Sequence, residues 1–366
     1  MSNSDLKIIV MESMKEFGSL LDDNLNKLNG SNENHLINIT ASRFQNGEGK
    51  VKINETVRGK NVFILTDVGN YNVSYMLHGK EHFMAPDEHF QDIKRVIGAI
   101  SGHANKVTVI MPFLYQSRQH RRKGRESLDC AMALQELQRL GVDDIITFDA
   151  HDPNICNAIP TIPFENFYPT HSILSKLVEN EIDSVGNLLV ISPDTGAMER
   201  ARYYADMLGC NVGLFYKRRD YSKVINGKNP IICHAYMGDD VEGKNIIVVD
   251  DMIASGSSMI EVCEELKKRG AKKIFLVATF ALFTEGVENF KEAYRAKIFN
   301  KIYSTNLSYV PDDVKKEKWF VSVDCSMQVA NIVNTLHNNS SIAHLFNGKE
   351  EIALKIKKYL DDCSTK

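Results

Sequence analysis

The sequence predicts an α/β protein made of two similar halves, each with a mainly parallel sheet flanked by helices. Three observations carry this. Short apolar runs rich in β-branched residues recur along the chain, amphipathic stretches separate them, and the whole pattern occurs twice. A strand buried on both faces of a parallel sheet reads as a near-continuous apolar run, without polar alternation. Strand and helix in alternation imply right-handed crossovers onto one sheet.

In order, the runs are Val62–Leu65, Val107–Met111, Ile145–Ala150, Leu188–Ile191, Val212–Tyr216, Ile246–Val249 and Ile274–Val277. Between them, Leu128–Leu140 places Cys130, Leu134, Leu137 and Leu140 at helical spacing, with Gly141 set to end the helix. Thr195–Leu208 and Ser258–Arg269 read the same way, and Gly270 follows the latter. One set of βα units precedes about position 160 and another follows about 185. The length of 366 residues agrees with two domains plus an extension, at roughly 150 residues per domain. The expected division is 1–165, 166–310 and a tail at 311–366 that packs back on the body. That tail holds the single Trp319 and a helical run at Gln328–Leu336, and Ser31–His35 and Asn338–Ser341 read as surface loops.

Lys and Arg total 44 against 47 Asp and Glu, a formal charge of −3. That balance argues against a general nucleic-acid or membrane-surface binder but leaves room for local basic sites. The seven cysteines are scattered and never form CxxC, so they read as small buried hydrophobes in a reducing compartment. The N-terminal stretch lacks a secretory pattern, and no window approaches the ~20 apolar residues of a membrane span. A cytoplasmic protein is expected.

The most informative segment is Ile246–Met259. An apolar strand runs into Asp250 and Asp251, then a turn of Ser255, Gly256, Ser257 and Ser258, then a helix. Ligands in open α/β sheets bind beyond the carboxyl ends of strands. A small-residue loop at a helix start offers N–H groups and hydroxyls to a phosphate. The two carboxylates can accept hydrogen bonds from vicinal ribose hydroxyls, so the segment suits a ribose 5-phosphate group. An ordinary cap needs one serine, not a carboxylate pair and four small residues.

Other strand ends add chemistry. Arg118, Arg121, Arg122, Lys123 and Arg125 crowd the loop after one buried strand, which suits a polyphosphate. His151 ends the next strand, where it can meet a metal or a phosphate. Asp194 stands between a strand and a glycine-containing helix start, a place for Mg²⁺ or its bound water. Lys217, Arg218 and Arg219 follow Tyr216 and precede a polar loop, Asp220–Asn229. Such cations stabilise the charge of transferring phosphates. There is no GxxxxGK[ST], so an ATP site here is not a P-loop. Neither HExxH nor an EF-hand pattern occurs.

The Asp250–Ser258 segment resembles the phosphoribosyl-pyrophosphate-binding motif. With Arg43–Glu48, Pro112–Glu126, Thr147–His151, Ile191–Ala197 and Lys217–Arg219 in the same order, the chain from Arg43 to Phe283 resembles the ribose-phosphate pyrophosphokinases. The resemblance implies two phosphoribosyltransferase-like domains, the first binding ATP and the second ribose 5-phosphate. It implies that Phe44 stacks on adenine while Asn46 and Glu48 hydrogen-bond it, and that Arg118 and Gln119 contact ATP. It further implies that His151 is catalytic or binds Mg²⁺, that Asp194 organises Mg²⁺, and that Lys217 and Arg219 are catalytic. Asp250 and Asp251 would hold the ribose hydroxyls, and Ser255, Gly256, Ser257 and Ser258 the 5-phosphate. The implied assembly is a homo-oligomer built on dimers, often hexameric, with the ATP site shared between subunits.

The chain departs from the family pattern at Ala254, where an acidic residue is typical, and at Asn46 and His120, where Asp is common. Ala281 stands where a His is frequent, and the Gly69–His89 connection is long. A divergent subgroup is therefore expected. Two other readings stay open at this level. One is a phosphoribosyltransferase or a diphosphokinase acting on another ribosyl phosphate. The other is a catalytically silent, synthetase-like regulatory subunit.

Overall fold

The computed structural model describes residues 5–181, 187–219, 231–346 and 352–354. These form two compact units. The first holds the described residues up to Pro169 with Asn306–Tyr309 and Asp324–Phe346; the second holds those of Thr170–Thr305 with Val310–Val323.

The first unit opens with β1 (Leu6–Val10), α1 (Lys15–Asn29), β2 (Leu36–Ile37), β3 (Ile39–Arg43), β4 (Gly49–Ile53) and β5 (Asn61–Leu65). It continues through β6 (Ser74–Leu77), β7 (Lys80–Phe83), α2 (Pro86–Ile100), β8 (Lys106–Ile110), α3 (Asp129–Arg139), β9 (Asp144–Phe148) and β10 (Phe164–Phe167). Six strands form one parallel sheet in the order β10-β9-β8-β5-β1-β2. Ile9, Ile64, Val109 and Ile145 of that sheet share a core with Phe90, Ile93 and Val96 of α2 and Leu134 and Leu137 of α3. Each such side chain contributes about 1.5–3 kcal/mol on leaving water. Two antiparallel hairpins, β3–β4 and β6–β7, stand apart from this sheet.

The second unit begins with α4 (Thr170–Glu181), β11 (Leu188–Ser192), α5 (Met198–Leu208), β12 (Asn211–Arg219), β13 (Ile231–Met237) and β14 (Asn245–Ile253). Then come α6 (Ser257–Lys268), β15 (Lys273–Ala281), α7 (Glu288–Arg295), β16 (Lys301–Thr305), α8 (Asp312–Lys315) and β17 (Phe320–Val323). The sheet order is β13-β12-β11-β14-β15-β16-β17, parallel except for the β12–β13 pair. Trp319 is buried among Phe283, Phe290, Phe299 and Phe320. Last, α9 (Ser326–His337) returns to the first unit and packs on α1, where Asn24 donates to Ser326 Oγ at 2.8 Å.

Several local expectations change. The 311–366 tail is divided, with β17 in one unit's sheet and α9 in the other unit. The Ser31–His35 loop ends in a buried residue: His35 is 1% exposed, its Nδ1 2.7 Å from Asp22 Oδ1. Asn338–Ser341 is exposed as expected. The strand expected at Val212–Tyr216 runs on to Arg219, because β13 pairs with it and satisfies its backbone. The helix expected from Thr195 starts at Met198, because Asp194–Ala197 forms a side-chain-bonded turn. Cys130, Cys263 and Cys325 are buried free thiols, while Cys156 and Cys210 are partly exposed. Among the described residues no helix is long and apolar enough to cross a membrane.

Candidate active site

In the second unit β11 and β14 are parallel neighbours, with Ile191 paired to Val248. Strand β12 lies on one side of β11 and β14 on the other, so the chain reverses its winding direction at this point. A crevice beyond the carboxyl ends of such strands is where open α/β sheets bind ligands. Both carboxylates stand there. β14 is longer than the apolar run suggested and carries Asp250 and Asp251 within its last turns of pleat. Asp251 is buried, and its Oδ1 accepts the Met252 N–H at 2.8 Å; Asp250 Oδ1 accepts the Asp251 N–H at 2.9 Å. Burial holds the Asp250 carboxyl well above the usual range, the Asp251 charge adds to this, and Arg200 on α5 opposes it.

The turn after β14 is built around Gly256, at φ 71°. A methyl group there would lie 1.8 Å from the Phe290 ring, so both backbone and space require glycine. Ser255 and Ser257 place their hydroxyl oxygens 3.1 Å apart. Ser257 and Ser258 are the first residues of α6, so their N–H groups lack helical partners and the positive end of the helix dipole is at hand. Across β11, Asp194 is exposed, and its Oδ1 accepts the N–H groups of Gly196 at 2.8 Å and Ala197 at 3.1 Å. One of its oxygens is thus spent on the start of α5. Lys217 and Arg219 close β12; their side chains and the Asp220–Asn229 loop lie outside the described residues.

In the first unit Phe44, Asn46 and Glu48 share the turn joining β3 to β4. Phe44 is 55% exposed, its N–H bonds Glu48 O at 2.8 Å, and Asn46 Nδ2 donates to Glu48 Oε2 at 2.9 Å. An aromatic face and two polar side chains therefore stand together in solvent. The loops after β8 and β9 form a second group. Arg118 is exposed, and Gln119 Nε2 donates to Ser127 O at 2.7 Å. His151 is exposed at the end of β9, with the His120 ring edge-on at 5.5 Å. His120 Nδ1 lies 2.8 Å from Asp152 Oδ2. Burial lowers the His120 pKa, with His151 and Arg121 adding to the effect and Asp152 opposing it. Burial alone would raise Asp152, but the Asn154 N–H groups and the His120 and Arg121 charges hold it down.

Two features were not singled out from sequence. Asp152 is one, standing beside His151. Asp67 is the other: a carboxylate two residues past β5, fully buried, accepting from Gly69 N–H (2.8 Å), Ser308 Oγ (2.9 Å) and Tyr309 N–H (2.8 Å). An Asp two residues after an apolar run was the visible signal for it.

Among the described residues no three His, Cys, Asp or Glu side chains gather as a metal cage. Mg²⁺ does not require one, since it retains waters and is held largely by substrate phosphate oxygens with one or two protein ligands.

The fold and these strand ends define a protein with two α/β domains of the phosphoribosyltransferase type. Residues 6–141 match the N-terminal domain of ribose phosphate pyrophosphokinase, and residues 170–310 match the phosphoribosyl transferase domain. Ribose-phosphate pyrophosphokinase of Vibrio parahaemolyticus is 29% identical over 318 residues, covering 85% of this chain and 92% of that protein. The Pyrococcus abyssi ribose-phosphate pyrophosphokinase is 30% identical over 288 residues, covering 78% and 89% respectively. The crystal structure of phosphoribosylpyrophosphate synthetase from Mycobacterium smegmatis shares the fold, with a TM-score of 0.75 at 23% identity over 92% of this chain and all of that one. The chain belongs to the ribose-phosphate pyrophosphokinase family, of which it is a divergent member.

Proposed function

We propose that this protein is a Mg²⁺-dependent ribose-phosphate diphosphokinase that converts ATP and ribose 5-phosphate into phosphoribosyl pyrophosphate and AMP. The observation that carries the reading is the end of β14, where the Asp250–Asp251 pair runs into the Gly256 turn and the first turn of α6. Asp250 and Asp251 accept hydrogen bonds from the ribose hydroxyls. Ser255, Ser257 and Ser258, with the α6 N–H groups, hold the 5-phosphate. Phe44, Asn46 and Glu48 receive adenine, and Arg118 and Gln119 contact the phosphates. The C1 hydroxyl attacks the β-phosphorus, the bond from that phosphorus to the α,β-bridging oxygen breaks, and AMP leaves as the hydroxyl proton is lost. Lys217 and Arg219 neutralise the migrating diphosphate. Mg²⁺, held in part by His151 and Asp194, would screen the phosphate oxygens when bound. The family also supports a homo-oligomer built on dimers.

The test is product identity. Purified protein with ATP, Mg²⁺ and ribose 5-phosphate should release AMP and phosphoribosyl pyrophosphate in equal amounts. No AMP across varied phosphate and metal conditions overturns the reading. Lys217→Ala with unchanged turnover would remove that residue from the chemistry even if the activity is real.

A further inference from the structure

The turn carrying Phe44, Asn46 and Glu48 projects from a two-stranded hairpin that is not hydrogen-bonded to the main sheet. Such a turn does not hold an aromatic ring in one place by its own backbone bonds alone. The second hairpin, β6–β7, lies against it. A methyl group on Gly47, at the turn's tip, would be 3.4 Å from a Leu77 methyl and 3.8 Å from the Tyr75 hydroxyl. Arg43, the residue preceding Phe44, has its guanidinium 5.2 Å from the centre of the Tyr75 ring. The same guanidinium forms a two-bond pair with Asp92 of α2, at 2.6 and 3.0 Å, and Asp92 also accepts from Arg95 at 2.6 Å.

The β6–β7 hairpin is fastened in turn at its other end. Glu88, in the first turn of α2, accepts the Tyr75 hydroxyl at 2.7 Å on one oxygen. Its other oxygen lies 2.9 Å from His82 Nε2 and accepts the Ala85 N–H at 3.0 Å. Tyr75 and His82 also pack edge to face, 5.0 Å apart. Glu88 is thus a hub joining both strands of the second hairpin to a helix of the core. Bonds to a charged group and a half-buried cation–aromatic contact are stronger than ordinary surface contacts.

We propose that β6–β7 is a positioning element for the nucleotide base: Leu77 against Gly47 and Tyr75 beneath Arg43 hold the Phe44–Glu48 turn in the shape that receives adenine. This rests on the reading of that turn as the base site. Leu77 and Tyr75 are positioning residues, acting through the turn rather than on the substrate.

The prediction separates nucleotide from sugar. Leu77→Ala and Tyr75→Phe in the full-length protein should each raise KM for ATP about 5- to 20-fold, since small displacements of a binding group carry effects of this order. KM for ribose 5-phosphate should stay within about twofold of the parent, because only ground-state contacts to the nucleotide are loosened. Leu77→Met, which refills the contact, should restore KM for ATP. Thermal unfolding of each variant confirms that it is folded, and Phe44→Ala serves as the reference for loss of the base contact. If Phe44→Ala raises KM for ATP while Leu77→Ala and Tyr75→Phe do not, the brace is overturned and the base site stands. If Phe44→Ala also leaves KM for ATP unchanged in an active enzyme, the base-site reading fails and the brace falls with it. An equal rise in both KM values, not reversed by Leu77→Met, marks a general packing defect and also overturns the proposal.

Discussion

Asp67 is fully buried, and burial displaces its pKa from 3.8 to about 6 even though the Tyr309 and Gly69 N–H groups and the Ser308 hydroxyl favour the anion. The sign follows from proton linkage. Between about pH 4 and 6 the folded chain binds more protons at this site than the unfolded chain does, so stability falls as pH rises through that window. The loss is on the order of 3 kcal/mol for a displacement of this size. Below both values the site is protonated in either state and contributes no slope. Urea midpoints measured from pH 4 to 7 should show this decline in the wild type, and Asp67→Asn should lack that component of it. The variant should also be weaker near pH 4, because its amide nitrogen faces donors and leaves at least one of them unpaired. Parallel pH curves for the two proteins would remove Asp67 as the cause.

At the level of elements, the turn between β14 and α6 makes the sharpest demand on sequence. Gly256 needs a positive φ that other residues adopt at a cost, and its missing side chain is the space occupied by the Phe290 ring. Gly256→Ala should therefore lower stability by roughly 3 kcal/mol, combining backbone strain with overpacking. Phe290→Leu in the same chain should recover part of that loss by clearing the clash, although it also removes a ring from the Trp319 cluster. A Gly256→Ala protein with the parent's urea midpoint would show that Phe290 moves aside freely. The turn illustrates why part of the candidate site can be read from sequence. Asp250, Asp251 and the small residues are contiguous, so their chemistry reads directly from one segment. Phe44, Asn46 and Glu48 also share one hairpin turn, but their reading as a base site comes from the family resemblance and not from the segment itself. Asp152 and Asp67 were not legible as parts of a site. Asp152 takes its meaning from His120, and Asp67 from Ser308 and Tyr309, more than two hundred residues away in the chain. Strand ends failed for a similar reason: the strand was expected to stop at Tyr216 because the charged run Lys217–Arg219 has no apolar signal, yet β13 supplies the partner backbone that extends it. β1 and α1 lay in a stretch that carried no functional motif, although Ile8, Ile9, Leu21 and Leu25 are fully buried.

For the molecule as a whole, the path of the last forty described residues matters most. After β16 the chain contributes Asn306–Tyr309 to the first unit, Val310–Val323 to the second, and α9 to the first again. A chain ending at Val323 would keep every strand of both sheets, yet it would strip α9 from α1. Val329, Ile332 and Val333 are buried to within 1% of full coverage, and each contributes about 1.5–3 kcal/mol of burial. Polar bonds would go as well: Asn24 to Ser326, Asn61 to His337 at 3.2 Å, and Gln328 to the Tyr168 carbonyl at 3.1 Å. Asn24 and Asn61 are buried, so each would lose a partner at a site that α9 had shielded. The combined loss is several kcal/mol against a total folding stability of about 5–15 kcal/mol. The truncated protein should accumulate in the insoluble fraction on expression. Any soluble portion should bind a hydrophobic dye strongly and unfold at lower urea than the parent when followed by tryptophan or circular dichroism. Circular dichroism is the decisive probe, because Trp319 reports on the second unit and can stay native while the first unit opens. A soluble truncated chain with the parent's urea midpoint by circular dichroism would mean that α9 covers α1 without supporting it.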